Sequence, residues 1–261
     1  MVKNWRIFSL ELKKIFRESW AIALRDLKKE SLVKQIIFII IFITLIIILG
    51  KSINQFFGNS YFSMDYTSFF SGGIIIYLIA MASLGVGSDL ILDSKGFIKI
   101  LLVAPISMIS IFFGKLISLT ITSSRTFLIV AFLVMIYLKS ISFVSILSLL
   151  FSCLATILIF VGLGFLIAAL IRETKTAQMI ISYGSVILFL FSGVFFPIQI
   201  FPKIAQYILY LNPLIFPIEL MRFSLSGNST ISLVIVLPVI FVLAFLIPLL
   251  SVLFFDKRMR R

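Results

Sequence analysis

Residues 143–170 read FVSILSLLFSCLATILIFVGLGFLIAAL, an unbroken run with no charged side chain. A helix rises 1.5 Å per residue, so about 20 apolar residues cross the ~30 Å hydrocarbon core of a bilayer. This run is long enough to do so. It has no alternation of polar and apolar positions, which a lipid-facing barrel strand needs. Helices are the other way to satisfy backbone polar groups in hydrocarbon. Working outward, comparable segments occur at about 33–50, 68–91, 110–138, 178–196 and 230–255. The chain has 261 residues, 61% hydrophobic and 13% charged, with a mean hydropathy of +1.23. Such a composition cannot be solvated as a water-soluble globule. We therefore expect an all-α polytopic membrane protein with six spans.

The net charge of +13 could suggest nucleic acid, but its distribution has a topological cause. With the N-terminus in the cytoplasm, most Lys and Arg fall on the cytoplasmic side. Lys51, Lys139, Lys203 and Arg222 lie opposite, and Arg125 falls within a span. This bias predicts that both termini are cytoplasmic and that no nucleic acid is bound. Cys153 is the one cysteine, so no disulfide framework exists, and the absence of His removes the commonest general base and metal ligand.

Residues 1–30 place Trp5, Phe8, Leu12, Ile15, Phe16, Ala23 and Leu27 at spacings of three and four, with basic residues mostly elsewhere. This pattern predicts an amphipathic helix at the membrane surface. It is too charged to span and has no small-residue cleavage site after the first apolar run, so we expect it to be retained. The expected organisation is an interface helix over 1–30 and a transmembrane domain over 31–261. No soluble domain or internal repeat is evident.

Three polar features interrupt the apolar pattern. The loop from Asp93 through Gly96, Leu101 and Leu102 to Pro105 is a short amphipathic piece, started after a glycine and stopped by a proline. It reads either as a lipid-surface connector or as a docking helix for a partner. In the third segment, Ser118, Thr120, Thr122, Ser123, Ser124, Arg125 and Thr126 form a polar patch. An arginine at a helix centre costs about 2.5–3.5 kcal/mol, which the apolar run after it can offset. Arg125 reads as a pathway-lining cation for an anionic headgroup, or as an interhelical partner or snorkelled charge.

The third feature follows the fifth segment, where Pro197, Pro202, Pro213 and Pro217 cluster around Phe195 and Phe196. This argues against a continuous spanning helix there, because interior prolines remove hydrogen bonds and clash with the preceding turn. Short re-entrant helices fit better, and irregular backbone at that depth survives only against protein or a wet cavity. Glu219 and Arg222, three apart, can pair on one turn. They serve the pathway or neutralise each other.

Elsewhere, Ser83 with Gly87 and Gly164 with Ala168 have the small-x-x-x-small spacing of close helix packing. The chain contains no Gly-x-x-x-x-Gly-Lys-Ser/Thr phosphate loop, so active transport needs energy from a partner or an ion gradient. Asp89 and Asp93 on one helix face would be the acids of an intramembrane enzyme. They sit at a helix end with no second intramembrane Asp, which disfavours that alternative. A gradient-driven transporter or channel would have Arg125 and Glu219 as its ionisable groups.

The stretch Gly193-Val194-Phe195-Phe196-Pro197 to Pro202, then Leu211-Asn212-Pro213-Leu214 and Glu219 to Arg222, resembles the C-terminal signature of ABC-2-type transport permeases. The loop Gly96 to Ser107 before Gly114-Lys115 is similar to that family's first cytoplasmic loop, although Lys95 and Lys99 stand where relatives often carry acids. The amphipathic start and six spans agree, so the resemblance covers essentially the whole chain. It implies a permease without catalytic residues, metal or cofactor of its own. It would work as a homodimer or heterodimer with a second permease, with ATP bound by a separate ATP-binding-cassette subunit. Drugs, lipids or lipid-linked polysaccharides would be exported across the inner membrane of a bacterium, or a plastid membrane. The resemblance carries ATPase docking to Arg17, Arg25, Asp93, Gly96, Leu101, Leu102 and Pro105. We expect Ser124, Arg125, Phe195, Phe196, Glu219 and Arg222 on the translocation pathway.

Overall fold

The computed structural model describes residues 13–24, 32–57, 65–88, 91, 108–123, 128–139, 141–171 and 173–259. Every regular element among them is helical. In chain order they are α1 (13–24), α2 (Leu32–Phe57), α3 (Tyr66–Leu84, continuing in a helical turn to Ser88), α4 (Met108–Ser123) and α5 (Ile129–Leu138). There follow α6 (Phe143–Leu170), α7 (Thr174–Leu190), a 3₁₀ turn (Ile198–Ile200), α8 (Lys203–Leu209), α9 (Ile215–Ser226) and α10 (Leu233–Met259). Among the described residues, the helical stretches Tyr66–Ser88, Phe143–Leu170 and Leu233–Phe254 are long and apolar enough to cross a membrane. With Ile, Leu and Phe exposed along α2, α5, α6, α7 and α10, the molecule is an all-α polytopic membrane protein.

Helix ends follow local chemistry. Ser142 caps α6, its hydroxyl accepting the Ser145 backbone N–H at 3.0 Å, which satisfies one of the orphan donors of a helix start. Lys139 ends α5 in the left-handed region at φ 55. The fifth sequence segment begins earlier than its apolar run, at Thr174, and its helix ends at Leu190 rather than continuing to 196. Gly193 at φ 74 and Pro197 turn the chain there. The third segment falls on α4 and α5, and residues 124–127 between them lie outside the described residues.

The centre is the α3–α6 pair, flanked by α9 and by α10, with α2 against α3. The two small-residue motifs meet in space. A Cβ added to Gly87 would stand 2.5 Å from the Gly164 carbonyl oxygen, and one added to Gly164 would stand 3.0 Å from the Gly87 nitrogen. The backbones of α3 and α6 therefore touch at this point, the approach that small residues allow between membrane helices. Ser83 and Ala168, the other members of the two motifs, are buried beside the contact. Close packing, the plainer meaning of the spacing, is what the fold makes of it.

At one end of the bundle α1 lies on α4. Ser19 donates to the Ser110 carbonyl at 3.0 Å, and the Ser110 hydroxyl donates to Glu18 Oε2 at 2.7 Å. Gly114 leaves room for Ile22, whose Cβ would lie 2.9 Å from a Cβ placed on that glycine.

Candidate functional site

The residues between α7 and α10 form a compact break built by their prolines and glycines. Pro197 and Pro202 precede the 3₁₀ turn and α8, so neither removes a hydrogen bond from a helix interior. Pro217 lies in the first turn of α9, where backbone N–H groups have no intrahelical partner in any case. Gly227 closes α9 at φ 75, its N–H donating to the Phe223 carbonyl at 2.8 Å. Asn212 ties the break to the bundle: its Nδ2 donates to the Leu188 carbonyl of α7 at 2.7 Å and its Oδ1 accepts the Leu214 N–H at 3.0 Å.

α9 is buried nearly all round, against α3, α6 and α10. That enclosure is what irregular backbone needs away from water. Within it, Arg222 and Glu219 are 1% and 0% exposed. Arg222 Nη1 donates to Glu219 Oε1 at 2.6 Å, Nη2 to the Gly193 carbonyl at 2.7 Å, and Nε to the Phe69 carbonyl at 3.1 Å. Its guanidinium carbon lies 3.5 Å above the centre of the Phe69 ring, a cation–π geometry. Glu219 has a second set of partners. Its Oε1 accepts the Thr230 hydroxyl at 2.7 Å, and its Oε2 accepts the Thr230 and Ile231 N–H groups at 2.6 and 3.2 Å.

A carboxylate offers about four acceptor sites, and here all are taken. The pair joins α3, the turn after α7, α9 and the chain entering α10. A fork of five donors on one rigid plane can satisfy three acceptors from three segments at once, which a lysine cannot. The arrangement is a brace.

Aromatic rings continue from the brace along α3. Phe195 is half-buried and lies 5.9 Å from Phe70 and 5.1 Å from Phe189, while Tyr77 stacks on Phe189 at 4.2 Å between centroids. Phe196 is 50% exposed. The fold thus gathers Phe195, Glu219 and Arg222 around the 193–197 turn and leaves Phe196 on its outer side. Arg17 stands elsewhere, exposed on α1. Arg25, Asp93, Gly96, Leu101, Leu102, Pro105, Ser124 and Arg125 lie outside the described residues. Among the described residues no group of His, Cys, Asp and Glu could hold a metal ion.

Sequence reasoning missed Phe69, Thr230 and Ile231 as members of the brace. Phe69 contributes through a backbone carbonyl that every residue has and through one of 29 Phe rings, so nothing in the sequence singles it out. Thr230 and Ile231 contribute N–H groups ahead of α10, and Thr230 its hydroxyl as well, but the carboxylate's claim on them is visible only in three dimensions.

Replacing Asn212 with alanine should cost about 1–3 kcal/mol, because the Leu188 carbonyl and Leu214 N–H lose their partners in a largely buried turn. A lower midpoint of thermal aggregation in detergent would register it.

Among curated proteins no match to the chain is found. The family model for ABC-2 type transporters matches residues 8–226, from ahead of α1 to the end of α9, and so takes in the brace residues Phe69, Gly193, Glu219 and Arg222. That match covers most of the sequence, and the chain belongs to the ABC-2 type transporter family, as the permease component of an ABC-type transporter in a membrane.

Proposed function

We propose that this permease exports a hydrophobic or lipid-linked substrate, a drug, a lipid or a polysaccharide on its lipid carrier. ATP is hydrolysed by a separate ATP-binding-cassette subunit. The observation that carries the reading is the family match over 8–226 in a chain whose own sequence has no phosphate loop. The permease crosses the inner membrane of a bacterium, or a plastid membrane, six times with both termini cytoplasmic. It pairs with a second permease, as a homodimer or heterodimer.

The ATPase docks on the 1–30 interface segment and the 93–105 loop, through Arg17, Arg25, Asp93, Gly96, Leu101, Leu102 and Pro105. The docking of α1 on α4 through Ser19, Ser110 and Gly114 supports this, because a push on α1 reaches a helix in the bundle. The pathway runs past Ser124 and Arg125 towards Phe195 and Phe196, whose wall Glu219 and Arg222 brace from behind. The full occupancy of Glu219 by partners leaves a gradient-driven mechanism without a free carboxylate there.

Purified chain reconstituted with its ATPase subunit tests the reading. Added substrate is expected to change ATP turnover several-fold, and the two should co-purify. If neither is seen with any ATPase of the source genome, while an imposed ion gradient drives transport after ATP depletion, the gradient alternative replaces it.

A further inference from the structure

A groove of about 440 Å³ runs between α1 and α4, lined by Lys13, Ile15, Phe16, Ser19, Phe113 and Ile117. Its size falls within the range of small-molecule pockets. Apart from Lys13 and Ser19 the lining is apolar, and Ser19 is already engaged with the Ser110 carbonyl. Phe16 is 66% exposed and stacks on Trp20 at 6.4 Å between centroids. Phe16, Trp20 and Leu24 recur at four-residue spacing, so they share one strip of α1, and all three are exposed. Lys13, which lines the groove, and Arg17, one turn on, are both exposed next to that strip.

Aromatic rings and cations side by side on an exposed helix face suit one medium, the boundary between acyl chains and headgroups. There the rings leave water while the charges meet phosphate. A second groove gives the contrast. It lies between α5 and α6, is about 340 Å³ and is lined by Leu128, Phe132, Leu133, Ile146 and neighbours, with no charged residue. It can accept acyl chains but has no means of choosing a headgroup.

We propose that the α1–α4 groove is a binding site for an anionic phospholipid of the surrounding membrane. Its phosphate is held by Lys13 and Arg17, and an acyl chain lies along Phe16, Phe113 and Ile117. Arg17 stands at the edge shared with the face assigned to the ATPase, so the lipid would sit beside that contact. The site depends on the chain being a membrane protein and not on the substrate or on the ATPase.

The test uses the full chain carrying Trp5→Phe, which leaves Trp20 as the one tryptophan. It is reconstituted in phosphatidylcholine vesicles containing increasing brominated phosphatidylglycerol or brominated phosphatidylcholine. A basic residue near an anionic surface contributes about fivefold in partitioning. With two such residues, half-quenching of Trp20 is therefore expected at a brominated phosphatidylglycerol fraction about 25-fold below that of brominated phosphatidylcholine. K13Q/R17Q, two surface changes with little bearing on folding, should bring the two lipids together, and K13R/R17K should keep them apart. Equal quenching by both lipids in the parent, or a preference surviving K13Q/R17Q, would overturn the proposal. So would quenching of Trp20 by aqueous acrylamide with no effect of either lipid, the result expected if this face meets water or a soluble partner.

Discussion

Arg222→Met is expected to destabilise the folded chain by about 3–5 kcal/mol, the usual cost of removing one partner of a buried ion pair. The reason lies in what it leaves behind. Glu219, 0% exposed, would be left with three neutral donors and no cation. The carbonyls of Phe69 and Gly193 would lose the donors that reach them from Nε and Nη2. At roughly 2–4 °C per kcal/mol for a chain of this size, the midpoint of thermal unfolding in detergent should fall by about 10 °C.

Replacing both charges tests the geometry further. A buried pair exchanged for apolar residues is often neutral. Here Glu219→Leu with Arg222→Met should remain destabilised, because the Thr230 and Ile231 N–H groups that enter α10 would have lost their acceptor. Arg222→Lys should fall between, since one ammonium cannot reach Glu219, Phe69 and Gly193 together. Midpoints within about 2 °C of the parent in all three would mean that the pair braces nothing.

Gly87→Leu carries the second large effect. Even a methyl group at this position would stand 2.5 Å from a backbone oxygen of α6, so relief requires the two helices to separate rather than a side chain to turn. Overpacking of this kind costs about 1–3 kcal/mol or more, and the branched leucine should sit at the upper end. The contact also lies between the two most central helices, so α9 and α10 would lose their seat with it. Gly184 on α7 provides the control, since nothing lies within 4 Å of a Cβ added there. Gly184→Leu should leave the midpoint within about 2 °C, whereas Gly87→Leu should lower the yield of monodisperse protein and the midpoint together. Equal tolerance at the two glycines would contradict the α3–α6 packing.

The main helices could be read from composition because membrane insertion leaves so little choice. The charge-free run at 143–170 has Ser142 ahead of it as a cap and Arg172 behind it, and α6 spans Phe143–Leu170. The clustered prolines likewise announced short helices before the last long one, since each proline removes a donor wherever it falls. Spacing showed that Glu219 and Arg222 could share a turn. It did not show that the same pair reaches Phe69, 153 positions earlier in the chain, because a backbone carbonyl looks alike in every residue.

The glycine motifs had the same limit: the sequence marks Gly87 and Gly164 as places where a helix can come close, and says nothing about which helix arrives. Gly114 drew notice beside Lys115 as part of a resemblance, while its physical task is to seat Ile22 of α1. The lipid groove was least legible. Lys13 and Phe16 come from an amphipathic helix, Phe113 and Ile117 from a helix read as a span, and the groove exists where the two cross.

ATPase docking as proposed requires the 93–105 loop to lie on the cytoplasmic side. The most direct measurement is labelling of Gly96→Cys by a membrane-impermeant maleimide, in a chain carrying Cys153→Ser so that no other thiol exists. Labelling is expected in inside-out vesicles and none in intact cells. Labelling in intact cells, with inside-out vesicles protected, would put the loop beyond the reach of any ATPase and contradict that docking.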